Sequence, residues 1–241
     1  QCDGFRKRHE KDMIASIVHD TAPITLIGGG DASISDVEEA TALAPRVVAA
    51  DGGAALALAA GRVPEAVIGD FDSLPEDLRR RLPADILHPL PGQDDTDFGK
   101  AMARIDAPLV LGVGFGGGRV DHQLAAYHTL ARMPHRPCVL IDRTEIVCLA
   151  PPRLLLPCTP GDIVSLFPLT PVTGRSAGLL WPIEGIEFAP DVFVGTSNRA
   201  TGPVEIQMDG PGMLLIAPRR LLKPLVRQLA APDRAHWPAP A

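Results

Sequence analysis

The amino-acid sequence predicts an α/β domain followed by an all-β domain: a mostly parallel sheet flanked by helices, then a smaller antiparallel β-sandwich. Three observations predict it. From residue 23 to 150, short apolar runs alternate with segments of helical spacing, the pattern of strand–helix–strand units. A Pro-rich junction, "APPRLLLPCTPG", ends that alternation. Beyond it come only short strand-like runs separated by Gly, Pro and Asp turns, which suits a sandwich. The expected division is residues 1–12 as a leader outside the native fold, 13–150, 151–230, and a flexible tail over 231–241.

The elements follow in order. "QCDGFRKRHEKD" is charged and aperiodic, with Met13 after it, hence the leader. "ITLIGG", "RVVAAD", "EAVIGD", "PLVLGV" and "CVLID" are apolar without alternation, as strands buried on both faces are. Between them "SDVEEATAL", "AALALAAG", "PEDLRRRL", "TDFGKAMARI" and "RVDHQLAAYHTLAR" read as helices. In the last of these, Val120, Leu124, Tyr127 and Ala131 recur at helical spacing. The second half offers "DIVSLFPL", "GLLWPI", "DVFVGTSN", "PVEIQM" and "GMLLIAP" as strands. "RRLLKPLVRQLA" closes the chain as a helix that Pro224 bends or interrupts.

Composition narrows the function. Hydrophobic residues make up 46% and aromatics 4%, so the core is aliphatic. A net charge of -6 without a dense Lys/Arg stripe argues against a nucleic-acid surface. No apolar run is long enough to span a membrane, and no signal-peptide pattern opens the chain; the expected location is the cytoplasm. Cys2, Cys138, Cys148 and Cys158 form no C-x-x-C pair and read as small hydrophobes rather than zinc ligands.

Four acidic or Gly-rich clusters fall at expected strand ends: "DGGA" (51–54), "GDFDS" (69–73), "QDDTDFGKA" (93–101) and "GFGGGRVDH" (114–122). Ligands of open parallel sheets bind beside the carboxyl ends of the strands, so these clusters should converge. In extended backbone Asp70 and Asp72 would point to one spot while Phe71 turns away. With Asp97 they offer hard oxygen ligands of the kind Mg²⁺ takes when it carries a polyphosphate. The glycines ahead of "RVDH", and a second loop "IGGGDAS", suit phosphate at a helix N-terminus, and Arg119 supplies a cationic fork. His122 stands at the same helix start, within possible reach of substrate. Lys100 reads as a solvated helix residue. Gly112, Gly114 and Gly117 also spell G-x-G-x-x-G, the mark of a dinucleotide-binding oxidoreductase. That reading puts Asp121 beside a pyrophosphate and leaves the acidic clusters unexplained.

The ordered set "DGGA", "GDFDS", "QDDTDFGKA" and "GGRVDH" resembles the thiamine pyrophosphokinase family, and "GLLWPI" and the "TSN" of "VFVGTSNRATG" extend the likeness to the second domain. The resemblance implies a Rossmann-like catalytic domain, a β-sandwich, and a homodimer with sites at the subunit junction. It implies Mg²⁺-dependent transfer of pyrophosphate from ATP to the hydroxyl of thiamine. Carried onto this chain, Asp70, Asp72 and Asp97 hold the metal, and these three with Arg119 and Asp121 are catalytic. Asp51, Gly52, Gln93, Asp94, Thr96, Gly117, Gly118 and Arg119 serve the nucleotide; Trp181, Ser197 and Asn198 hold thiamine. The sequence departs from the family at Gly99, where Thr or a Lys-like residue is more usual, and in "QLAAYHTL", where Asn is frequent. The rival readings are a pyrophosphokinase for another alcohol, such as a hydroxymethylpterin, and a non-catalytic nucleotide or thiamine sensor.

Overall fold

The computed structural model describes residues 15–92 and 94–239 of the chain. The expected leader and Gln93 lie outside the described residues. The first half runs β1 (Val18–His19), β2 (Ile24–Ile27), α1 (Ile34–Leu43), β3 (Arg46–Ala50), α2 (Gly53–Ala59), β4 (Ala66–Gly69), α3 (Glu76–Arg81) and β5 (Leu87–Pro89). It continues through α4 (Asp97–Arg104), β6 (Ile105–Asp106), β7 (Val110–Val113), α5 (Val120–Arg132) and β8 (Cys138–Ile141). β1 and β6 form a small parallel pair of their own. The other strands lie parallel in the order β5-β4-β3-β2-β7-β8. Every residue of β2, β4, β7 and β8 is buried, which is why these runs show no alternation. Val37 and Ala40 of α1 and Ala57 of α2 pack on one face with Ile27, Leu111 and Val139. Phe98 and Met102 of α4 and Ala126 and Leu130 of α5 pack on the other with Leu26, Ile68 and Leu140.

The second half comprises β9 (Glu145–Leu149), β10 (Arg153–Leu156), β11 (Ile163–Pro168), β12 (Gly174–Leu179), β13 (Gly195–Met208), β14 (Met213–Pro218) and α6 (Leu222–Leu229). It is antiparallel, but the two halves share one mixed sheet: β9 pairs with β8 on one side and β14 on the other. That pairing satisfies the edge that β8 would otherwise expose. The expectation of a separate sandwich therefore needs amending. "DVFVGTSN" and "PVEIQM" contribute to one 14-residue strand, β13, which pairs with β11 at one end and with β10 and β12 at the other. By changing partners along its length β13 folds a second layer over the first, and Leu154, Leu156, Val204 and Ile206 share a core with Val164, Leu166, Met213 and Leu215.

Pro224 does not break α6, because it sits in the first turn, where its missing N–H would have no intrahelical partner. In the stretch expected to be a tail, Trp237 donates its indole N–H to Ala150 O at 2.9 Å and packs against the core. Cys138, Cys148 and Cys158 are free and buried, and burial pushes the Cys148 thiol up to about 12.

Candidate active site

The chain leaves β2 toward β3, β4 and β5 on one side, then returns to place β7 on the other. The order reverses between β2 and β7, and a crevice opens there beyond the carboxyl ends. Two Gly-rich loops flank it and touch: Gly30 donates its N–H to Gly114 O at 2.9 Å. A Cβ on Gly30 would meet that same oxygen at 2.7 Å, so the loops can lie this close only without side chains. Gly117 and Gly118 have φ of 69° and 64° and carry the second loop into α5.

At the end of β4, Asp70 and Asp72 do not share an extended segment as expected. Phe71 between them has φ 66°, a left-handed conformation that costs an aromatic residue roughly 1–3 kcal/mol. Burial of its ring with Leu74 and Leu82, under the Arg79 guanidinium at 5.2 Å, holds it there. The turn sends the two acids to different partners. Asp70 Oδ2 meets Lys100 Nζ at 3.0 Å, while Asp72 Oδ1 accepts the Ser73 hydroxyl at 2.9 Å.

Asp51, at the end of β3, comes to the centre. It is buried and has φ 43°, and its Oδ2 accepts the Ser73 N–H at 3.1 Å. Its Oδ1 is buried with no hydrogen-bond partner. Burial pushes this carboxyl up to about 6; the Ser73 N–H works against that, and the charges of Asp97 and Asp72 add to it. Asp51, Asp70 and Asp97 each present an oxygen, all within 4.8 Å of one another. The close group is thus Asp51, Asp70 and Asp97, with Asp72 beside it.

Asp97 opens α4, whose N-cap Thr96 accepts the Gly99 N–H at 3.2 Å. One turn on, Lys100 reaches back to Asp97 Oδ1 at 3.2 Å as well as to Asp70. The reading of Lys100 as solvated was wrong: its side chain is 10% exposed. Burial disfavours its charge, but the two carboxylates outweigh that and hold its pKa above the usual lysine value. The clue was the D-x-x-K spacing, which puts Asp97 and Lys100 on one helix face. The Lys100 ammonium in turn holds Asp70 below the ordinary carboxylate range.

Two adjoining cavities of about 560 Å³ each fill the crevice, a size that suits a small ligand or cofactor. One is lined by the Gly-rich loops with Asp51, Gly52, Gly117 and Gly118, the other by Asp70, Asp72, Asp94, Asp95, Lys100 and Arg132. Ser73, Thr96, Asp97, Arg119 and His122 line both. At the entrance Arg119 Nε and Nη2 grip the Asp121 carboxylate at 3.1 and 2.5 Å, and both side chains are exposed.

Trp181, Ser197 and Asn198 line neither cavity. They gather near the start of β13, where Asn198 lies opposite Val164 of β11. Asn198 Oδ1 accepts the Trp181 N–H at 3.2 Å and its Nδ2 donates to Trp181 O at 2.7 Å. Ser197 has φ 61° and donates its N–H to Ser165 Oγ at 2.9 Å. The Trp181 side chain is left largely in solvent.

Residues 37–141 match the family described as thiamin pyrophosphokinase, catalytic domain. Among solved structures, the chain is similar to thiamin pyrophosphokinase from Candida albicans at 17% identity and TM-score 0.69, over 83% of this chain and 93% of that one. It is similar to thiamine pyrophosphokinase from Bacillus subtilis at 21% identity and TM-score 0.67, over 81% and 98%. For yeast thiamin pyrophosphokinase the identity is 18% and the TM-score 0.67, over 90% and 95%. At these identities the structures establish a shared fold. No curated protein sequence matches the chain.

Proposed function

From the match of residues 37–141 to the catalytic-domain family of thiamin pyrophosphokinase, we infer that the chain transfers pyrophosphate from ATP to the hydroxyl of thiamine. The products are AMP and thiamine diphosphate. One observation carries this reading: the family match spans the four acidic and Gly-rich clusters of the crevice from Asp51 to His122, with only the first Gly-rich loop, Gly28–Asp31, lying ahead of it.

The acids fit a divalent cation. Three carboxylate oxygens within 4.8 Å repel one another, Lys100 offsets only part of their charge, and the buried Asp51 Oδ1 has no partner. Asp51, Asp70 and Asp97 would hold Mg²⁺, with Asp72 at its side. Bound there with the polyphosphate, the ion supplies charge neutralisation at the transferring group. The chain's own groups do the rest. Lys100 keeps two of the acids apart from each other's charge and supports the phosphate side of the cleft. The backbone of Gly117 and Gly118 and the N-terminus of α5 favour anionic oxygens. Arg119 sits where it can leave Asp121 for a phosphate, which also frees that carboxylate beside the incoming alcohol. The thiamine oxygen forms its bond to the β-phosphorus as the bridging α–β P–O bond breaks. Its proton passes to a base or solvent, and AMP leaves with the bridging oxygen. Positioning and electrostatics dominate such transfers.

Trp181, Ser197 and Asn198 stand away from this cleft, so in our reading they hold thiamine for the cleft of a second copy in a homodimer. The exposed Trp181 indole, with its backbone fixed from both sides by Asn198, is suited to stack on an aromatic cation. The test is product analysis after incubation with Mg²⁺, ATP and thiamine. AMP and thiamine diphosphate in equal amounts are expected. ADP with thiamine monophosphate would overturn the assignment of the attacked phosphorus. Folded protein that binds ATP but makes no product would be a sensor or use another alcohol.

A further inference from the structure

The segment that delivers Asp97 is held from behind. Asp95 Oδ1 accepts the Thr96 N–H at 2.9 Å, and its Oδ2 is ion-paired with Arg132 in the last turn of α5. Directly opposite lies Gly99. A Cβ placed on Gly99 would fall 2.1 Å from Asp95 Oδ1 and 2.5 Å from its Cγ. No side chain fits there while the carboxylate does, so the bare position at 99 and the acid at 95 form one device. The departure at Gly99 thereby acquires a physical reason.

We propose that the Asp95–Arg132 pair, seated in the space that Gly99 leaves, is a tether that fixes the 94–97 segment between α4 and α5 and so positions Asp97 for the divalent cation. The inference rests on the metal reading above. As an ion pair alone it would matter little, since both side chains are about a third exposed, 32% and 29%, and such pairs stabilise weakly. Its consequence is geometric. Asp97 is two residues from Asp95, and its carboxylate must meet those of Asp51 and Asp70 from two other strand ends. Mg²⁺ tolerates little departure from octahedral geometry, so groups that orient its ligands matter nearly as much as the ligands. Arg132 touches no reacting atom in this scheme; it is a positioning residue.

The test uses Mn²⁺ alone as the probe, with binding read by electron paramagnetic resonance on the full chain. Arg132→Gln should weaken Mn²⁺ about 10-fold or more, and lower kcat with the thiamine KM unchanged. Gly99→Ala keeps both charges but expels the carboxylate, so it should do the same. Adding Asp95→Asn to Arg132→Gln should cost nothing further, and Arg132→Lys should restore part of the affinity. Unchanged Mn²⁺ affinity in both Arg132→Gln and Gly99→Ala would overturn the tether, as would losses in the double variant that multiply. Wild-type protein that binds Mn²⁺ yet makes no thiamine diphosphate would overturn the activity reading and leave the tether standing.

Discussion

The two halves of the mixed sheet handle polar groups in opposite ways. At the carboxyl ends of the parallel strands, Asp51, Asp70, Asp72 and Asp97 crowd together, and one buried oxygen is left without a partner. In the antiparallel half the buried Asn198 uses both its side-chain atoms, accepting from Trp181 and Arg199 and donating to Trp181 O. Backbone strain marks both places. Among the described residues, the non-glycine positions with positive φ are Asp51, Phe71 and Ser197. Two belong to the acid cluster and one adjoins Asn198. The difference is what each place leaves unmet: in the crevice the carboxylates outnumber Lys100, Arg119 and Arg132, whereas Asn198 has its partners and the Trp181 side chain beside it presents a surface. In the function proposed above, the first would be completed by a cation and phosphates, the second by a flat aromatic cation.

Removing a ligand from the crevice should have the largest effect. Asp97→Asn keeps the shape and the α4 cap but weakens cation binding, and kcat should fall about a thousandfold, or ~4 kcal/mol of transition-state stabilisation. Steady-state kinetics beside a circular dichroism spectrum would check it. Near-normal turnover would place the cation elsewhere and leave the unpartnered Asp51 oxygen unexplained.

How much of this could be read from the sequence follows from the range of the interactions. The parallel strands were legible because burial on both faces writes itself as unbroken apolar runs, as in β2 and β8. The convergence of 51–54, 69–73 and 94–101 was legible because strand ends of an open sheet meet on one side. The roles inside the cluster were not. Phe71 turning left-handed is a tertiary result of its ring finding Leu74 and Leu82, and it separates two acids that an extended backbone would align. Lys100 is buried only because Asp70 arrives from 30 residues away. In the second half, β13 looked like two strands because "RATG" interrupts the apolar pattern where the strand changes partners.

In the antiparallel half the comparison sharpens through Trp181→Ala. A stacked indole contributes up to about 2 kcal/mol when desolvated, so the thiamine KM should rise tenfold or more with the ATP KM little changed. Because the side chain is exposed, the melting temperature should stay nearly constant. If the ATP KM rises instead, the Trp lies on the nucleotide side and the division of labour between the halves fails. An unchanged thiamine KM would remove the stacking role.

The smallest effect is the finest measure of the missing charge. Asp51 in the folded chain titrates at about 6, above the ordinary 3.8, so the native state holds this proton more tightly than the unfolded state does. The stability it contributes is present in full below about pH 4 and is lost as pH climbs through about 6. In metal-free buffer the wild type should therefore lose a few degrees of Tm relative to Asp51→Asn between about pH 4 and pH 7. Taking the difference between the two proteins cancels distant carboxylates that titrate the opposite way, such as Asp36. Millimolar Mg²⁺ should erase the difference, since a cation at the unpartnered oxygen favours the charged form that burial resists. Equal slopes in both proteins would show that the crevice carries its charge without strain. A slope that persists in Mg²⁺ would detach Asp51 from the cation and leave Asp70 and Asp97 to hold it without their buried neighbour.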